Sequence, residues 1–525
     1  MTPVPGCGGF VLKDVPPADL FAPVPGCGGF GVPGGPGRGA GPPGAGRLLP
    51  VPHKSIRVPG ESHPRLDDGF ERIRREMKLP EEFPRAVVDE AEWVAEAPAL
   101  PRLDRTDLPM ITIDPPGAMD LDQALHLEER PGGYRVWYAI ADVGAFVRPG
   151  GAIDAEARLR GETVYMPDGR VPLHPPVLSE GAASLLPGVD RPAALWCVDL
   201  DAEGRIVGAD VTRALVRSRE RLDYDYAQAA IDTGTADGTL RLLAEIGRLR
   251  LGLERARGGV TLPTPDQEVV PDGDGYRVEL RAPLDAEAWN AQISLLTGMA
   301  AASMMLDAEI GLLRVLPPAP AERVAQVRRM AAALGVSWPE GAGYGDVVHA
   351  LDPRVPEQAA FLQESTVLLR GAGYVAFNGE PPAQAEHAAV AAPYAHVTAP
   401  LRRLIDRYAT EICLAVAAGE PVPQEVQQVM GELPEIMHAT GRRAGSVERA
   451  CVDLVEAFVL RDRVGQTFEA VVIDVAEDRP GGQVQVTDPP VVARCDGENL
   501  PLGESVRVRL TRADPATREV RFALL

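Results

Sequence analysis

Lysine is almost missing from this 525-residue chain: it stands only at Lys13, Lys54 and Lys78, so all but three of the 53 basic residues are arginine. Aromatic residues are also scarce, at 5 %. No apolar stretch approaches the roughly 18 residues that a membrane-crossing helix needs. The best one, Ile412 to Ala418, has seven. A membrane span is therefore excluded as a reading of the sequence. No basic start followed by an apolar stretch opens the chain, so no secretory signal is readable. No two of the six cysteines, Cys7, Cys27, Cys197, Cys413, Cys451 and Cys495, form a C-x-x-C pair. That spacing argues against a disulfide framework or a zinc site and fits a reducing cytoplasm.

What is present is acid. Asp and Glu number 75, and the net charge is −22. Net charge alone argues against a nucleic-acid partner. Arginine is nevertheless the better side chain for bidentate phosphate contacts. A local basic channel inside an acidic shell is compatible with this composition, as is the arginine bias of a GC-rich genome.

The length suits about three domains. Residues 1–50 are rich in Pro and Gly and carry the octapeptide PVPGCGGF twice, at 3–10 and 23–30. So little apolar content predicts a disordered tail. In the 51–100 segment, Leu66, Phe70, Ile73 and Met77 recur at helical spacing and predict a helical cap. From residue 101 short strands alternate with Pro/Gly turns, including a hairpin signal at Pro131-Gly132-Gly133. From Leu240 helices are expected at 240–256, 287–310, 321–334, 357–370 and 400–418, followed by a long one at 434–463. The last sixty residues hold five β-rich runs, which suggest a small barrel of the OB type.

The segment Thr112–Gln123 concentrates carboxylates. Asp114 ends an apolar strand, Pro115-Pro116-Gly117 turns the chain, and Asp120 and Asp122 follow two residues apart. On a strand that spacing puts both on one face. Three crowded carboxylates repel one another unless a hard cation lies between them, and oxygen-only ligands favour Mg²⁺ or Mn²⁺. An Asp-rich surface turn, holding Ca²⁺ or nothing, has the same spacing. A second constellation runs from Tyr394 to Arg407. Thr398 and Pro400 suit a helix start, with Arg402 and Arg403 in its first turn. There they oppose the helix dipole, a cost an anion would offset. The alternative is a surface Arg402 paired with Asp406. In a third segment, Arg160–Arg170, Tyr165 is either a platform for a stacked base or a core tyrosine. His126, His174, His387 and His396 are read first as structural, or as supporting neighbours of the site residues.

The order T-I-D-x₅-D-x-D, I-A-D-V (Ile140–Val143), R-G-x-x-V-Y-x-P-D (Arg160–Asp168), L-S-E-x-x-x-S-L-x-P (Leu178–Pro187) and T-x-P-x-R-R (Thr398–Arg403) resembles the ribonuclease II/RNB family of exoribonucleases. The resemblance implies an α+β fold: a mixed β-sheet core wrapped by helices over 101–420, a helical connection over 421–463, and an S1-type OB barrel over 464–525. It implies hydrolysis of single-stranded RNA from the 3′ end to nucleoside 5′-monophosphates with Mg²⁺ or Mn²⁺, by a cytoplasmic monomer. By position it makes Asp114, Asp120 and Asp122 metal ligands, with Asp120, Asp122 and Arg402 catalytic. Tyr165, Arg402, Arg403 and Glu448 would touch RNA. Three departures stand out. Gln123 replaces a fourth aspartate, Leu404-Ile405 replaces a Tyr and a small residue, and Gln292 replaces a Glu. Gln123 motivates an alternative, a catalytically weakened RNA-binding protein. About a hundred residues precede the central region, too few for the two cold-shock barrels usual in the family. RNA gripping is therefore expected of the C-terminal barrel and the cap.

Overall fold

The computed structural model describes residues 56–57, 64–264, 266–272, 275–475, 480–486 and 488–525. The expected 1–50 tail lies outside them. Two closed five-stranded barrels are joined through a helical layer. The first barrel runs in the order Met110–Ile113, Gln123–Arg130, Gly133–Ala141, Asp190–Asp201 and Ile206–Leu222, and closes by parallel pairing of its first and last strands. Its hairpin at Arg130–Gly133 turns on Pro131-Gly132, where Gly132 takes a φ of +83° that suits glycine.

Alternation along these strands builds two cores. Leu125, Leu127, Val136, Tyr138, Ile140, Trp196 and Val198 pack with the helices Gly238–Ala256, Asp285–Asp307 and Leu404–Ala418. Their sequence neighbours Ala124, Ala139, Ala141 and Leu195 face the other way, towards Val87, Phe146 and Ile153. A period of two is what divides one sheet between two cores.

The C-terminal barrel comprises Thr467–Val475, Gly482–Val486, Val492–Asp496, Ser505–Asp514 and Glu519–Leu524, as the five apolar runs predict. Leu460, at the end of the 28-residue helix Leu433–Leu460, packs into its core.

The structure corrects several expectations. The 51–100 cap is two helices in separate cores. Pro64–Glu76 packs Leu66, Phe70 and Ile73 on Val447, Leu454 and Phe458 of the long helix, whereas Arg85–Glu96 packs on the first barrel. A hairpin, Asp266–Asp272 with Gly275–Arg281, interrupts the region expected to be helical. The strand expected from Asp120 begins at Gln123, so Asp120 and Asp122 lie in the loop before it. The helix expected from residue 400 begins at Leu404, so Arg402 and Arg403 precede it rather than filling its first turn.

Candidate active site

The loop before Gln123 is pinned by one side chain. Ser184 donates its hydroxyl to the Met119 carbonyl at 2.6 Å and accepts the Leu121 N–H at 3.0 Å. Ser184 is itself buried, so these bonds fix the loop in a water-poor setting. The two following acids then diverge. Asp122 turns inward, where it is 3 % exposed, and accepts the Leu401 N–H at 2.8 Å. Its second oxygen lies 3.1 Å from Arg402 Nε. Asp120 faces the hairpin Val164–Met166/Gly169–Val171, accepting from Tyr165 Oη at 3.2 Å and pairing with Arg170. Arg170 reaches on to Glu180 at 2.8 Å. Asp114 closes the first strand, its N–H donating to the Leu222 carbonyl at 3.1 Å.

The loop carrying Arg402 is organised by Asp406, which is fully buried. Asp406 accepts the Ala399 N–H at 2.7 Å and takes Arg403 through both oxygens. The Arg402–Asp406 pair of the alternative reading is replaced by Arg403–Asp406, with Arg403 at the position just before the helix. Backbone bonds from Thr163 N–H to the Arg402 carbonyl (2.9 Å) and from Leu404 N–H to the Gly161 carbonyl (2.9 Å) tie this loop to the Tyr165 hairpin. On its other side the segment lies against the helix Asp285–Asp307. A Cβ on Gly298 would stand 2.2 Å from the Tyr394 ring, so only glycine allows that approach. Arg402 remains half exposed, with guanidinium to spare beyond Asp122.

Electrostatics follow from burial. Desolvation pushes the Asp114 carboxyl up to about 6, against the pull of Arg402 and with the help of the Asp120 charge. Asp122 is pushed up to about 7, again chiefly by burial, while Arg402 and the Leu401 N–H oppose the shift and Asp406 and Asp120 add to it. The donor set is oxygen only, and two of its three acids resist ionising without further positive charge. In chemistry these residues fit a hard divalent cation. In placement, among the described residues, no group of three or more Asp, Glu, His or Cys side chains is gathered as a metal site. Asp120 and Asp122 are each turned to an arginine, and the Asp120 charge still acts on both Asp114 and Asp122.

Of the remaining predicted residues, Tyr165 is 51 % exposed, so its ring is not the core tyrosine of the alternative reading. Glu448 sits in the long helix, away from the contacts of the aspartates, and burial pushes its carboxyl up to about 8 with Arg449 as the opposing charge. Gln123 spends both ends of its amide inside the protein, accepting from Tyr138 Oη and donating to the Thr398 carbonyl at 2.6 Å. It bridges the barrel to the Arg402 loop. Gln292 likewise donates to the buried Glu254. His126 contacts Thr239 and Glu128 rather than the aspartates. Sequence reasoning missed Arg170, Glu180 and Ser184 as site residues. The Met166-Pro167-Asp168-Gly169 turn was the available signal for Arg170, because a two-residue turn sets it directly across from Tyr165.

Residues 102–418, more than half of the chain, match the RNB domain model. The chain belongs to the RNB family. Residues 466–525 match the RNase II-type exonuclease C-terminal S1 domain. Ribonuclease R of Escherichia coli (strain K12) is 27 % identical over 504 residues, covering 86 % of this chain and 61 % of that protein. The chain thus spans about three fifths of the length of such curated relatives. Among solved structures, Mycoplasma genitalium RNase R in complex with ribose-methylated single-stranded RNA is similar, with a TM-score of 0.77 at 18 % identity over 88 % of this chain and 78 % of that one. Yeast Ssd1, described as a pseudonuclease, gives a TM-score of 0.61 at 18 % identity over 87 % of this chain and 58 % of its own. A nuclease and a pseudonuclease share this architecture, so the architecture alone does not decide activity.

Proposed function

We propose that this RNB-family chain is a divalent-metal-dependent 3′-to-5′ exoribonuclease that hydrolyses single-stranded RNA to nucleoside 5′-monophosphates. The observation carrying the proposal is the Asp122–Arg402 pair: a buried acid and a half-exposed arginine at 3.1 Å, with Asp114 and Asp120 alongside. Asp114, Asp120 and Asp122 are the residues to hold Mg²⁺ or Mn²⁺, which when bound polarises a phosphodiester and lowers the pKa of attacking water. Arg402 directs its free N–H groups to the scissile phosphate and stabilises charge developing there. Tyr165 offers an exposed ring for stacking the terminal base while its hydroxyl stays on Asp120. Arg403, being held by Asp406, acts on RNA through the loop it shapes. Glu448, whose carboxyl is raised chiefly by burial, is the late acidic residue to meet RNA near its 3′ end. A monomer acting in the cytoplasm suffices for this chemistry.

The second reading, a weakened RNA-binding protein, is favoured by Gln123. Its amide oxygen accepts from Tyr138 and its nitrogen donates to Thr398, and a neutral amide supplies no negative charge to a cation. One experiment separates the two. Single-stranded RNA labelled at its 5′ end is incubated with the protein and Mg²⁺. Progressive shortening from the 3′ end, abolished in Asp122→Asn with RNA affinity retained, is the expected result. A gel shift without shortening establishes the second reading, and full activity in Asp122→Asn rejects the site.

A further inference from the structure

A cavity of about 280 Å³ lies where the C-terminal barrel meets the helical layer, far along the chain from the aspartates. Leu334, Val471 and Val486 supply apolar walls. Gln363, from the helix Pro356–Ser365, and Gln485, from the strand Gly482–Val486, line it from opposite partners. These two side chains are 6 % and 4 % exposed. Gln363 Nε2 and Gln485 Oε1 have no hydrogen-bond partner among the described residues. The other end of Gln485 donates to the Val486 carbonyl at 3.2 Å. A buried donor and a buried acceptor left unmade each carry an uncompensated desolvation penalty, so a native structure that keeps both beside one cavity calls for an occupant.

The lining defines that occupant. The apolar walls are aliphatic, and the unpaired amide atoms are one donor and one acceptor, with Ser505 also on the lining. Among the described residues no arginine or lysine lines the cavity, and Glu357 contributes the one charge, which is negative. A phosphate or carboxylate is therefore disfavoured. Water fills polar gaps but gains nothing from the apolar walls. A planar heterocycle with adjacent donor and acceptor atoms satisfies both, as carboxamides do on the edge of adenine. The volume sits just below the usual range of about 300–1,000 Å³ for small-molecule sites, which suits a base or nucleoside.

We propose that this cleft between barrel and helices binds one nucleobase, with its polar edge on the Gln363 and Gln485 amides and its faces on the aliphatic walls. The base comes either from an RNA strand crossing the barrel or from a free nucleoside. Base binding is independent of strand cleavage, so the test is read in EDTA without turnover.

The full chain is titrated with adenosine and with uridine while its melting temperature is followed. Its affinity for a labelled oligoadenylate is measured in parallel. A saturable rise in melting temperature is expected with at least one nucleoside. In Gln363→Leu and in Gln485→Leu the half-rise should need about tenfold more nucleoside, one lost hydrogen bond of ordinary strength. Ala333→Met, which narrows the cavity without touching either amide, should abolish the rise. If oligoadenylate affinity falls in the same variants, the strand supplies the base. If that affinity is unchanged, free nucleoside does. No rise with either nucleoside together with unchanged RNA affinity, or a rise undiminished in all three variants, overturns the proposal. Melting of each variant without nucleoside reports whether it folds; Gln363→Leu should not lower it, because a buried unpaired polar atom is removed, whereas Gln485→Leu also gives up the bond to the Val486 carbonyl, so its rise is read from its own baseline.

Discussion

Adjacent arginines on this chain do opposite jobs. Arg402 is half exposed and touches Asp122, whereas Arg403 is consumed by the buried Asp406. Arg402→Ala is expected to lower kcat by about 10²–10³, the range for losing one preorganised donor, with a smaller fall in urea midpoint than at Arg403, because Asp122 keeps the Leu401 N–H and its raised carboxyl can take a proton. Arg403→Ala should do the reverse of a clean catalytic lesion. It strands a fully buried carboxylate, a loss of about 3–5 kcal/mol in urea unfolding. Paired denaturation and single-turnover measurements on the two variants check the division. Equal stability losses would mean that Arg403 is not the anchor the geometry makes it.

At the scale of elements, the site is a meeting of three short segments, each fixed by a neighbour. Ser184 holds the aspartate loop, so Ser184→Ala frees the Leu121 N–H and the Met119 carbonyl. A stability loss of about 1–3 kcal/mol is expected, together with a fall in kcat through misplaced aspartates. Unchanged kcat at equal stability would show that the loop holds its shape without the serine. Gly161 couples the Tyr165 hairpin to the Arg402 loop. Its φ is +72°, and a Cβ there would stand 2.3 Å from Thr440 Oγ1. Gly161→Ala is expected to lower the melting temperature, through left-handed strain of roughly 1–2 kcal/mol and the clash with Thr440. Thr440→Ser in the same chain keeps the hydroxyl and removes one methyl. It should restore part of the loss, since Thr440 Cγ2 stands 2.5 Å from the added atom.

For the whole molecule, buried neutral histidines set the response to acid. His174 is 2 % exposed, and burial, helped by Arg407, drops its imidazole to about 3. The unfolded chain holds that proton near the ordinary value of about 6.5. Between those limits the unfolded state binds more protons, so the contribution is present above pH 6.5 and is lost as pH falls towards 3. His174→Phe should flatten the dependence of unfolding free energy on pH by up to about 1.4 kcal/mol per unit between pH 6 and pH 4. Urea titrations at each pH give that slope directly, and an unchanged slope would reject the assignment. His387, lowered to about 4 mainly by burial, shares the sign. Raised acids such as Glu448 have the opposite sign, so wild type alone does not isolate the effect.

Much of this was readable from residues in order. The β-rich runs specified the C-terminal barrel and the Pro131-Gly132 turn specified a hairpin register, whereas the mixed sheet expected from residue 101 closes into a barrel of its own. These features are local, and a strand or turn is written in the spacing of its own residues. Where each acid points was not readable. Asp120 and Asp122 were expected on one strand face beside Asp114, but Ser184, Leu401 and Arg170, all distant in sequence, pull them to separate partners. The same holds for Arg403, Gln123 and the cavity between barrel and helices, whose roles are set by groups that meet only after the chain has closed. Spacing along a chain determined which elements form. Burial and long-range hydrogen bonds, which exist only in the folded molecule, decided which charge each acid faces and what its proton costs.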